Sequence, residues 1–256
     1  MKIFVCIKQV PDTEAKIKVA ADGKSIDTTG FKWILCPYDE FAVEEAIRFK
    51  EKNPGATVTV VSAGPERVIE SLRTALAMGC DDAIRVATPD NADSFLIAKT
   101  LARVIEKNGP PHLIFTGKQA IDDDASQVHQ AIAEFLQIPA VTVVLKAQYG
   151  STVLAEREIE GGVIEKYEIP TPCLLAPQKG MNEPRYASLP NIMKAKKKEI
   201  KNLTLADLNL QDTQTKLTYT KLTLPVERSA CKIIGGDTAV AAKELVRVLR
   251  EEAKVI

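Results

Sequence analysis

The stretch with the clearest chemical potential is residues 117–127, which follow the apolar run 113–116. Gly117, directly after a predicted buried strand, would let the backbone approach a bound molecule closely. A helix predicted to begin at about residue 125 would offer unpaired N–H groups to an anion, and Lys118 adds a positive charge. This combination favours contact with a phosphate or a ribose.

Three consecutive carboxylates, Asp122, Asp123 and Asp124, leave two other interpretations of this stretch open. Acidic residues at a helix start stabilise the helix by capping and by their interaction with its dipole. They could also bind a divalent cation, although no second acidic cluster is expected to converge on them. The stretch lacks the lysine spacing of a P-loop, and no GxGxxG motif follows the first strand.

Groups for covalent or metal chemistry are scarce along the chain. Ser126 and His129 lie three residues apart, but their neighbours do not form a nucleophile elbow, and His129 is predicted to be a half-buried helix residue. The cysteines show no metal-ligand spacing, and we expect small buried thiols in a reducing cytoplasm. They are Cys6, Cys36, Cys80, Cys173 and Cys231. We therefore predict no catalytic residue and no metal site.

A second unusual stretch is residues 182–193, which carries apolar side chains between prolines and leads into a basic run. The basic residues are Lys194, Lys196, Lys197, Lys198 and Lys201. Two interpretations stay open. The apolar residues could pack on the core beside a solvated lysine face, or they could form a protruding anchor that docks an acidic partner.

Composition indicates an ordinary globular protein. The chain has 256 residues, 45% of them apolar, and its 34 basic residues balance 34 acidic ones. A zero net charge argues against a globally basic nucleic-acid binder. No apolar run approaches the roughly 18 residues of a membrane span, and the short apolar N-terminus is predicted to be a strand, not a signal peptide.

Apolar runs alternate with amphipathic helical patterns over the first 145 residues. Strands are predicted at 3–7, 57–61, 83–86, 113–116 and 140–144. A first helix is predicted to begin at about residue 40 with Asp39 as its cap, and a second to end at about Met78 with Gly79 closing it. Two further helices are predicted at 93–107 and at 125–136. This alternation predicts a parallel, Rossmann-like α/β sheet with helices on both faces. The loops after residues 7, 34, 61 and 116 should then converge at one sheet edge, where ligands bind. The loop after residue 61 contains small residues, for which a tight turn is an equal interpretation.

Other segments are predicted to be less regular. A small hairpin is expected at 16–28, and an antiparallel pair at 152–159 and 163–169. Residues 181–201 are predicted to be a loop leading into the basic run, and residues 202–232 an extended arm. A final amphipathic helix is expected at 237–251. Its inward residues would be Ala241, Leu245, Val248 and Leu249.

Several motifs, in order along the chain, resemble the β subunit of electron-transfer flavoproteins. They are residues 5–12, 42–46, 73–79, 117–124, 156–162 and 182–198. The resemblance covers essentially the whole chain, and the last motif is very specific to that family. It implies a heterodimer whose α subunit carries most of the site for a redox-active FAD, while the β subunit holds a structural AMP. It also implies docking to acyl-CoA dehydrogenases of fatty-acid β-oxidation and electron delivery to a membrane quinone oxidoreductase.

The resemblance assigns roles to particular positions. AMP contacts would fall on Cys6, Cys36, Pro37, Tyr38, Asp39, Ala63, Gly117, Lys118, Gln119, Ala120, Ile121, Asp122, Asp123, Asp124, Ala125, Ser126, Gln127 and Val128. Docking contacts would fall on Arg185, Tyr186, Leu189, Pro190, Ile192, Met193, Lys194 and Lys197, with Leu189 as the anchor. Lys194 and Lys197 match lysines that are methylated in some animal members. Glu158 and Thr13 would lie near the flavin.

Departures from the family pattern bear on the choice between its subtypes. Cys36 stands where many members have Asn, Thr13 where some have Tyr, and Tyr167 replaces an aliphatic residue. Electron-bifurcating members, which carry a second FAD in place of AMP, usually have Gly where this chain has Asp123, and lack the segment 189–193. We therefore expect the AMP-binding carrier. The alternatives are an NADH-oxidising bifurcating subunit and a stand-alone adenine-nucleotide-binding regulator, against which the polar arm argues because it needs a partner surface.

The expected organisation is a nucleotide-binding α/β domain at residues 1–200, with the recognition loop at about 182–198. An arm and a helix at 201–256 would contact the α subunit. A cytoplasmic location is expected, which the absence of an Arg/Ser-rich presequence before the first strand favours. For a eukaryotic source the mitochondrial matrix would be expected.

Overall fold

The computed structural model describes residues 1–210, 213–227 and 230–256. The strands are β1 (Lys2–Cys6), β2 (Gln9–Pro11), β3 (Trp33–Leu35), β4 (Thr57–Ala63), β5 (Asp82–Ala87), β6 (Leu113–Thr116), β7 (Ala140–Tyr149), β8 (Val153–Glu158), β9 (Ile164–Ile169), β10 (Cys173–Pro177) and β11 (Lys201–Thr204). The helices are α1 (Pro37–Lys52), α2 (Val68–Met78), α3 (Ser94–Lys107), α4 (Val128–Leu136), α5 (Leu189–Lys197) and α6 (Thr238–Arg247). The alternation predicted for the first 145 residues is confirmed.

One large sheet forms the centre of the fold, with the strand order β11-β5-β4-β1-β6-β10-β7-β8-β9. From β11 to β7 each neighbouring pair is parallel, whereas β8 and β9 extend the sheet as an antiparallel hairpin. The chain leaves β1 towards β4 on one side and later returns to β6 on the other. The carboxyl ends of β1 and β6 therefore flank a topological switch point, where open α/β sheets bind their ligands.

Helices cover both faces of this sheet, as predicted. On one face, α1 and α2 bury residues such as Val43 and Leu72 against β1 and β4, and α5 packs on α2. On the other face, α3 and α4 bury residues such as Ile105 and Ile132. The central strands are therefore apolar on both sides, which explains why their sequences are continuous apolar runs.

Several segments differ from the predictions. The hairpin at 16–28 is reduced to a single bridge between Val19 and Ile26. The predicted loop 181–201 contains α5, because Ser188 caps the helix and Pro190 occupies its first turn. The apolar run 173–177 inserts as β10 between β6 and β7, and β11 pairs with β5. The sheet thus continues past the expected domain boundary at residue 200.

The C-terminal region packs little against the rest of the chain. Among the described residues between 213 and 236, no helix or strand forms. The final helix α6 begins at Thr238 with Asp237 as its cap, and none of its residues is fully buried. Of the side chains predicted to point inward, Ala241, Val248 and Leu249 are half-buried and Leu245 is 47% exposed. Within the described ranges, none of the helices combines the length and the apolar character that crossing a bilayer requires.

Candidate functional site

The first turn of α1 lies against the switch point. Pro37 suits the start of a helix because its missing N–H would have no intrahelical partner there. Asp39 was predicted to cap this helix, and that prediction is wrong. Cys36 is the N-cap, and the buried Asp39 carboxylate accepts hydrogen bonds from the backbone N–H groups of Lys8 (2.7 Å) and Gly117 (2.8 Å). Asp39 therefore links the exit of β1 to the exit of β6.

Gly117 allows this close approach. A Cβ atom at that position would lie 2.5 Å from Asp39 Oδ1 and 2.8 Å from Tyr38 Cβ. Such distances are far inside van der Waals contact, so a side chain there would push α1 away from β6. The sequence predicted that Gly117 admits a ligand, whereas the structure shows that it admits the first turn of α1.

The loop from Lys118 to Gln127 continues from this junction, and its acidic residues have partners outside any helix. Helix α4 begins at Val128, three residues later than predicted, so the capping interpretation of Asp122–Asp124 is wrong. Lys8 Nζ instead forms ion pairs with Asp122 (2.8 Å) and Asp123 (3.1 Å). Burial alone lowers the pKa of Lys8, but these two ion pairs outweigh it and leave the pKa above its usual value.

Further contacts hold the loop over the start of α1. The Cys36 thiol lies 3.6 Å from the carbonyl oxygen of Gln119, and the Lys118 ammonium lies 5.0 Å from the centre of the Tyr38 ring. Asp124 and Ser126 both adopt positive φ, at 48° and 50°. Non-glycine residues rarely adopt this conformation, and it concentrates at ligand-binding turns.

The helices differ in how their N-termini are satisfied. Helices α3, α5 and α6 are each capped by their own side chain, from Asp93, Ser188 and Asp237. By contrast, α1, α2 and α4 lack a side-chain cap among the described residues, and all three begin near the carboxyl ends of β1, β4 and β6. The first N–H groups of α2 donate to the carbonyls of Pro65, Glu66 and Arg67, and in α1 those of Asp39 and Glu40 donate to the Cys36 carbonyl. Free N–H donors beside a positive dipole end therefore remain mainly at the start of α4. The site can therefore receive an anionic group.

Helix α4 is the best placed of these three. Its first intrahelical hydrogen bond is donated by the Ala131 N–H to the Gln127 carbonyl, at 3.1 Å. The N–H groups of Val128, His129 and Gln130 precede that bond and have no intrahelical acceptor. They follow directly on the 118–127 loop, so a phosphate bound by α4 would also lie against this loop.

Burial controls the protonation of the groups at the site. It raises the pKa of Asp39 to about 7, although the two backbone donors oppose that shift. It also raises the pKa of the Cys6 and Cys36 thiols to about 12, so both are protonated at neutral pH. His129 is buried, more than the sequence predicted, and burial lowers its pKa to about 4. These groups are therefore suited to shaping a site and not to nucleophilic chemistry.

The remaining predicted AMP positions lie at the same sheet edge. Cys6 ends β1 and pairs in register with Thr116 of β6 and Val61 of β4. Ala63 ends β4 two residues beyond Val61. The tertiary structure thus brings together the residues from all four predicted loops. Lys8, which no prediction included, could have been found from its position after the first strand, opposite a predicted acidic loop.

The two positions predicted near a flavin are at the surface. Thr13 is exposed in a turn after β2. Glu158, also exposed, ends β8 and accepts a hydrogen bond from Gln178 Nε2 at 2.9 Å. Among the described residues, no hydrogen bond or ion pair joins either of them to the loop 118–127, and their role stays a prediction.

The second predicted site, residues 185–197, forms an apolar projection from α5. Tyr186 is 100% exposed, Leu189 78% and Met193 56%, and the exposed lysines of α5 follow them. Ile192 instead packs partly against the core, and Arg185 contacts α1. One side of the segment therefore packs on the core and the other protrudes, and docking to a partner stays a prediction.

Two further surface features lie away from these sites. A cleft of about 440 Å³ is lined by residues of α3 together with Phe135 and Leu210, and another of about 230 Å³ lies beside His112 and Tyr149. Among the residues that the structure describes, no group of three His, Cys, Asp or Glu side chains could hold a metal ion.

Comparison with known proteins identifies one family. A model of the electron transfer flavoprotein domain matches residues 24–208. The electron transfer flavoprotein subunit beta of Bacillus subtilis (strain 168) is 45% identical over 262 residues, covering 100% of this chain and 100% of that protein. The human protein of the same description is 38% identical over 260 residues, covering 100% of this chain and 99% of its own length. A mitochondrial relative from Arabidopsis thaliana is 37% identical over 262 residues, with full coverage of both chains.

Proposed function

The chain belongs to the electron transfer flavoprotein family as a β subunit, and on that premise we propose that it holds a structural AMP and docks acyl-CoA dehydrogenases. A β subunit of this family pairs with an α subunit, and the heterodimer carries a flavin. In our proposal the flavin is FAD, held mainly by the α subunit, and it supplies the redox chemistry when bound. Electrons then leave for a membrane quinone oxidoreductase.

The arrangement of capped and uncapped helices carries the AMP proposal. Three helix N-termini without a side-chain cap begin near the exits of the central strands β1, β4 and β6, whereas α3, which follows the more peripheral strand β5 at the same edge, is capped by Asp93. An AMP phosphate would accept hydrogen bonds from the N–H groups at the start of α4. The 118–127 loop, held over α1 by Lys8, would enclose the rest of the nucleotide.

The position of Asp123 supports AMP over a second FAD. Its carboxylate pairs with Lys8 at 3.1 Å and accepts a hydrogen bond from the Ala125 N–H at 3.1 Å. The side chain is therefore part of the loop's own framework. A glycine at this position, as in bifurcating members, would remove both contacts and open the loop.

The exposed projection supports the docking proposal. Large apolar side chains that remain exposed near a cluster of lysines are typical of protein-recognition sites. Leu189 is the proposed anchor, since a largely exposed leucine gains much when a partner pocket buries it. The lysines of α5 would attract a partner with an acidic rim.

This chain's own residues would then bind, orient and shield, and would break no bonds. Asp39 and Gly117 hold the exits of β1 and β6 together, and Lys8 holds the exit loop closed. The buried thiols stay protonated, which keeps the site free of reactive thiolates. The exposed α6 offers its apolar side chains to the α subunit.

A nucleotide count tests the AMP proposal. The heterodimer is made by co-expressing this chain with its α subunit. It is purified and denatured, and the released nucleotides are measured by chromatography. We expect one FAD and one AMP per heterodimer. Two FAD and no AMP would contradict the proposal and indicate a bifurcating protein. AMP or ATP on this chain alone, with no flavin-bearing partner, would instead indicate a nucleotide-binding regulator.

A Leu189→Ala variant tests the docking proposal. Losing most of a buried leucine costs about 2 kcal/mol at an interface, so KM for an acyl-CoA dehydrogenase should rise by about thirtyfold while flavin content stays unchanged. Leu189→Met, which conserves volume, is the matched control and should cost much less. Unchanged kinetics of Leu189→Ala would remove Leu189 as the anchor.

A further inference from the structure

The apolar projection is exposed at its tip but held firmly at its entry. Arg185 is its first residue and forms two forked ion pairs with α1. Its Nε and Nη2 lie 2.8 Å and 3.2 Å from the Glu44 carboxylate, and its Nη1 and Nη2 lie 2.6 Å and 3.1 Å from the Glu51 carboxylate. The Arg185 backbone N–H also donates to Glu44, at 3.1 Å. One side chain thus holds the entry of the projection to two turns of α1.

The chemistry of these pairs requires arginine. Only a planar guanidinium can present two donor pairs to two carboxylates at once, whereas a lysine ammonium is a point charge. Glu44 is almost fully buried, with 2% of its side chain exposed. Burial raises the pKa of Glu44, but the hydrogen bonds from Arg185 and Arg48 outweigh it and hold the pKa below its usual value.

Arg48 allows the contact between Arg185 and Glu44 to be removed without leaving Glu44 unpaired. Its Nε lies 2.6 Å from Glu44, and its Nη2 donates to the Glu183 carbonyl at 3.2 Å. If Arg185 is changed, Glu44 therefore keeps one cationic partner and is not left as an unpaired buried charge. A change at Arg185 should therefore loosen the entry of the projection and leave the packing around Glu44 in place.

A second arginine holds the exit of the projection. Arg73 of α2 donates from Nη1 to the Ala195 carbonyl at 2.5 Å and to the Lys198 carbonyl at 3.3 Å. Both acceptors lie at the end of α5, where the Ala195 carbonyl also accepts a hydrogen bond from the Lys198 N–H at 3.3 Å. Ala195 is buried against the core, with 4% exposed. The projection is therefore held between α1 and α2, by one arginine at each end.

We propose that Arg185 is a positioning residue that holds the projection in its docking conformation before the partner arrives, with Arg73 doing the same at the exit. This inference rests on the docking role proposed above. The partner that fits is a protein with an apolar pocket for Leu189 and an acidic rim facing the lysines of α5. A projection held in the competent conformation avoids the entropy of ordering on binding. A loosened projection binds more weakly in proportion to its competent fraction.

The test uses the intact heterodimer and an acyl-CoA dehydrogenase with its substrate. Arg185→Lys keeps the charge but loses both forks. If about one-tenth of the loosened molecules are competent, KM for the dehydrogenase rises about tenfold while kcat at saturation is unchanged. Hydrogen exchange of the free heterodimer should become faster at residues 186–194 and stay the same in the central strands. Glu51→Gln, which weakens one fork, should raise KM by a smaller factor.

Control variants separate this inference from the docking proposal. Arg103→Lys makes the same chemical change in an ion pair with Glu106 on α3, on the opposite sheet face, and should leave KM unchanged. Leu189→Ala should raise KM without changing the exchange of its segment. If Leu189→Ala raises KM and Arg185→Lys does not, the positioning role is wrong while docking stands. If Leu189→Ala also has no effect, docking itself is wrong and the inference falls with it. Faster exchange throughout the chain in Arg185→Lys would show a general stabilising role and overturn the proposal.

Discussion

A Gly117→Ala variant tests the junction between α1 and the exit of β6. The added methyl group would lie 2.5 Å from Asp39 Oδ1, 2.8 Å from Tyr38 Cβ and 2.9 Å from the Tyr38 carbonyl carbon. Two of these atoms belong to the helix itself and not to the tip of a flexible side chain. The first turn of α1 must therefore move away, which breaks the hydrogen bond from the Gly117 N–H to Asp39.

The expected cost has two parts. Inserting a methyl group into a packed region costs about 1–3 kcal/mol. Losing a hydrogen bond to a charged group costs about 1.5–3 kcal/mol. Since the movement of α1 relieves part of the clash, we expect a total loss of roughly 3 kcal/mol. For a domain of this size that corresponds to a melting midpoint lower by about 6–12 °C.

Calorimetry of the purified heterodimer measures the midpoint, and chromatography of the denatured protein measures its AMP. Gly150→Ala is the matched control, because its Cβ would meet only the Thr152 carbonyl oxygen, at an ordinary 3.8 Å. It should change stability by less than about 0.5 kcal/mol. A Gly117→Ala midpoint equal to that of Gly150→Ala, with AMP fully retained, would refute the reasoning that α1 is held close to β6.

Three other perturbations test the electrostatics of the two sites. Burial raises the pKa of Asp39 from 3.8 to about 7, so between those values the folded chain holds a proton that the unfolded chain has released. The free energy of unfolding should therefore fall as the pH rises through that window, and Asp39→Asn should remove this slope. If the melting midpoints of the unchanged protein and of Asp39→Asn have parallel slopes from about pH 4.5 to 8, the reasoning is wrong. Lys8→Met should weaken AMP binding about fivefold by releasing the exit loop, which calorimetric titration measures. The control is Lys32→Met, in the exposed ion pair with Asp12, which should leave AMP binding unchanged. The double variant Lys194→Gln and Lys197→Gln should slow association with the dehydrogenase a few-fold at low ionic strength and match the unchanged protein at about 1 M salt; a difference that persists in salt would point to contact and not to charge.

The sequence alone determined the fold class and the alternating strands and helices of the first 145 residues. Continuous apolar runs between amphipathic patterns predicted the parallel sheet, because strands buried on both faces are apolar throughout. Gly79 correctly marked the end of α2, where its φ of 139° suits glycine. The turn around Gly161 correctly separated the antiparallel pair β8 and β9. These features depend on neighbours in the chain, which a sequence displays directly.

Local pattern was insufficient where a residue's partner is distant. Asp39 has the position of a helix cap, and its actual partners are backbone groups of Lys8 and Gly117, 31 and 78 residues away. The run 173–177 resembles any short apolar segment, and only the packed sheet decides that β10 lies between β6 and β7. The end of α6 continues in wider turns at Val248–Glu252, where Val248 and Leu249 are only half-buried.

The candidate sites divide in the same way. Their positions followed from the sequence, because the strand exits of a parallel sheet must meet at one edge and an exposed apolar segment stands out beside lysines. The contacts within each site did not follow from the sequence. Only the tertiary structure decided that Lys8 holds the acidic loop, that Gly117 admits a helix, and that Arg185 holds the projection to α1. The physical reason is that hydrogen bonds and ion pairs depend on ångström-scale geometry between distant segments, whereas hydrophobic periodicity is a local property of the chain.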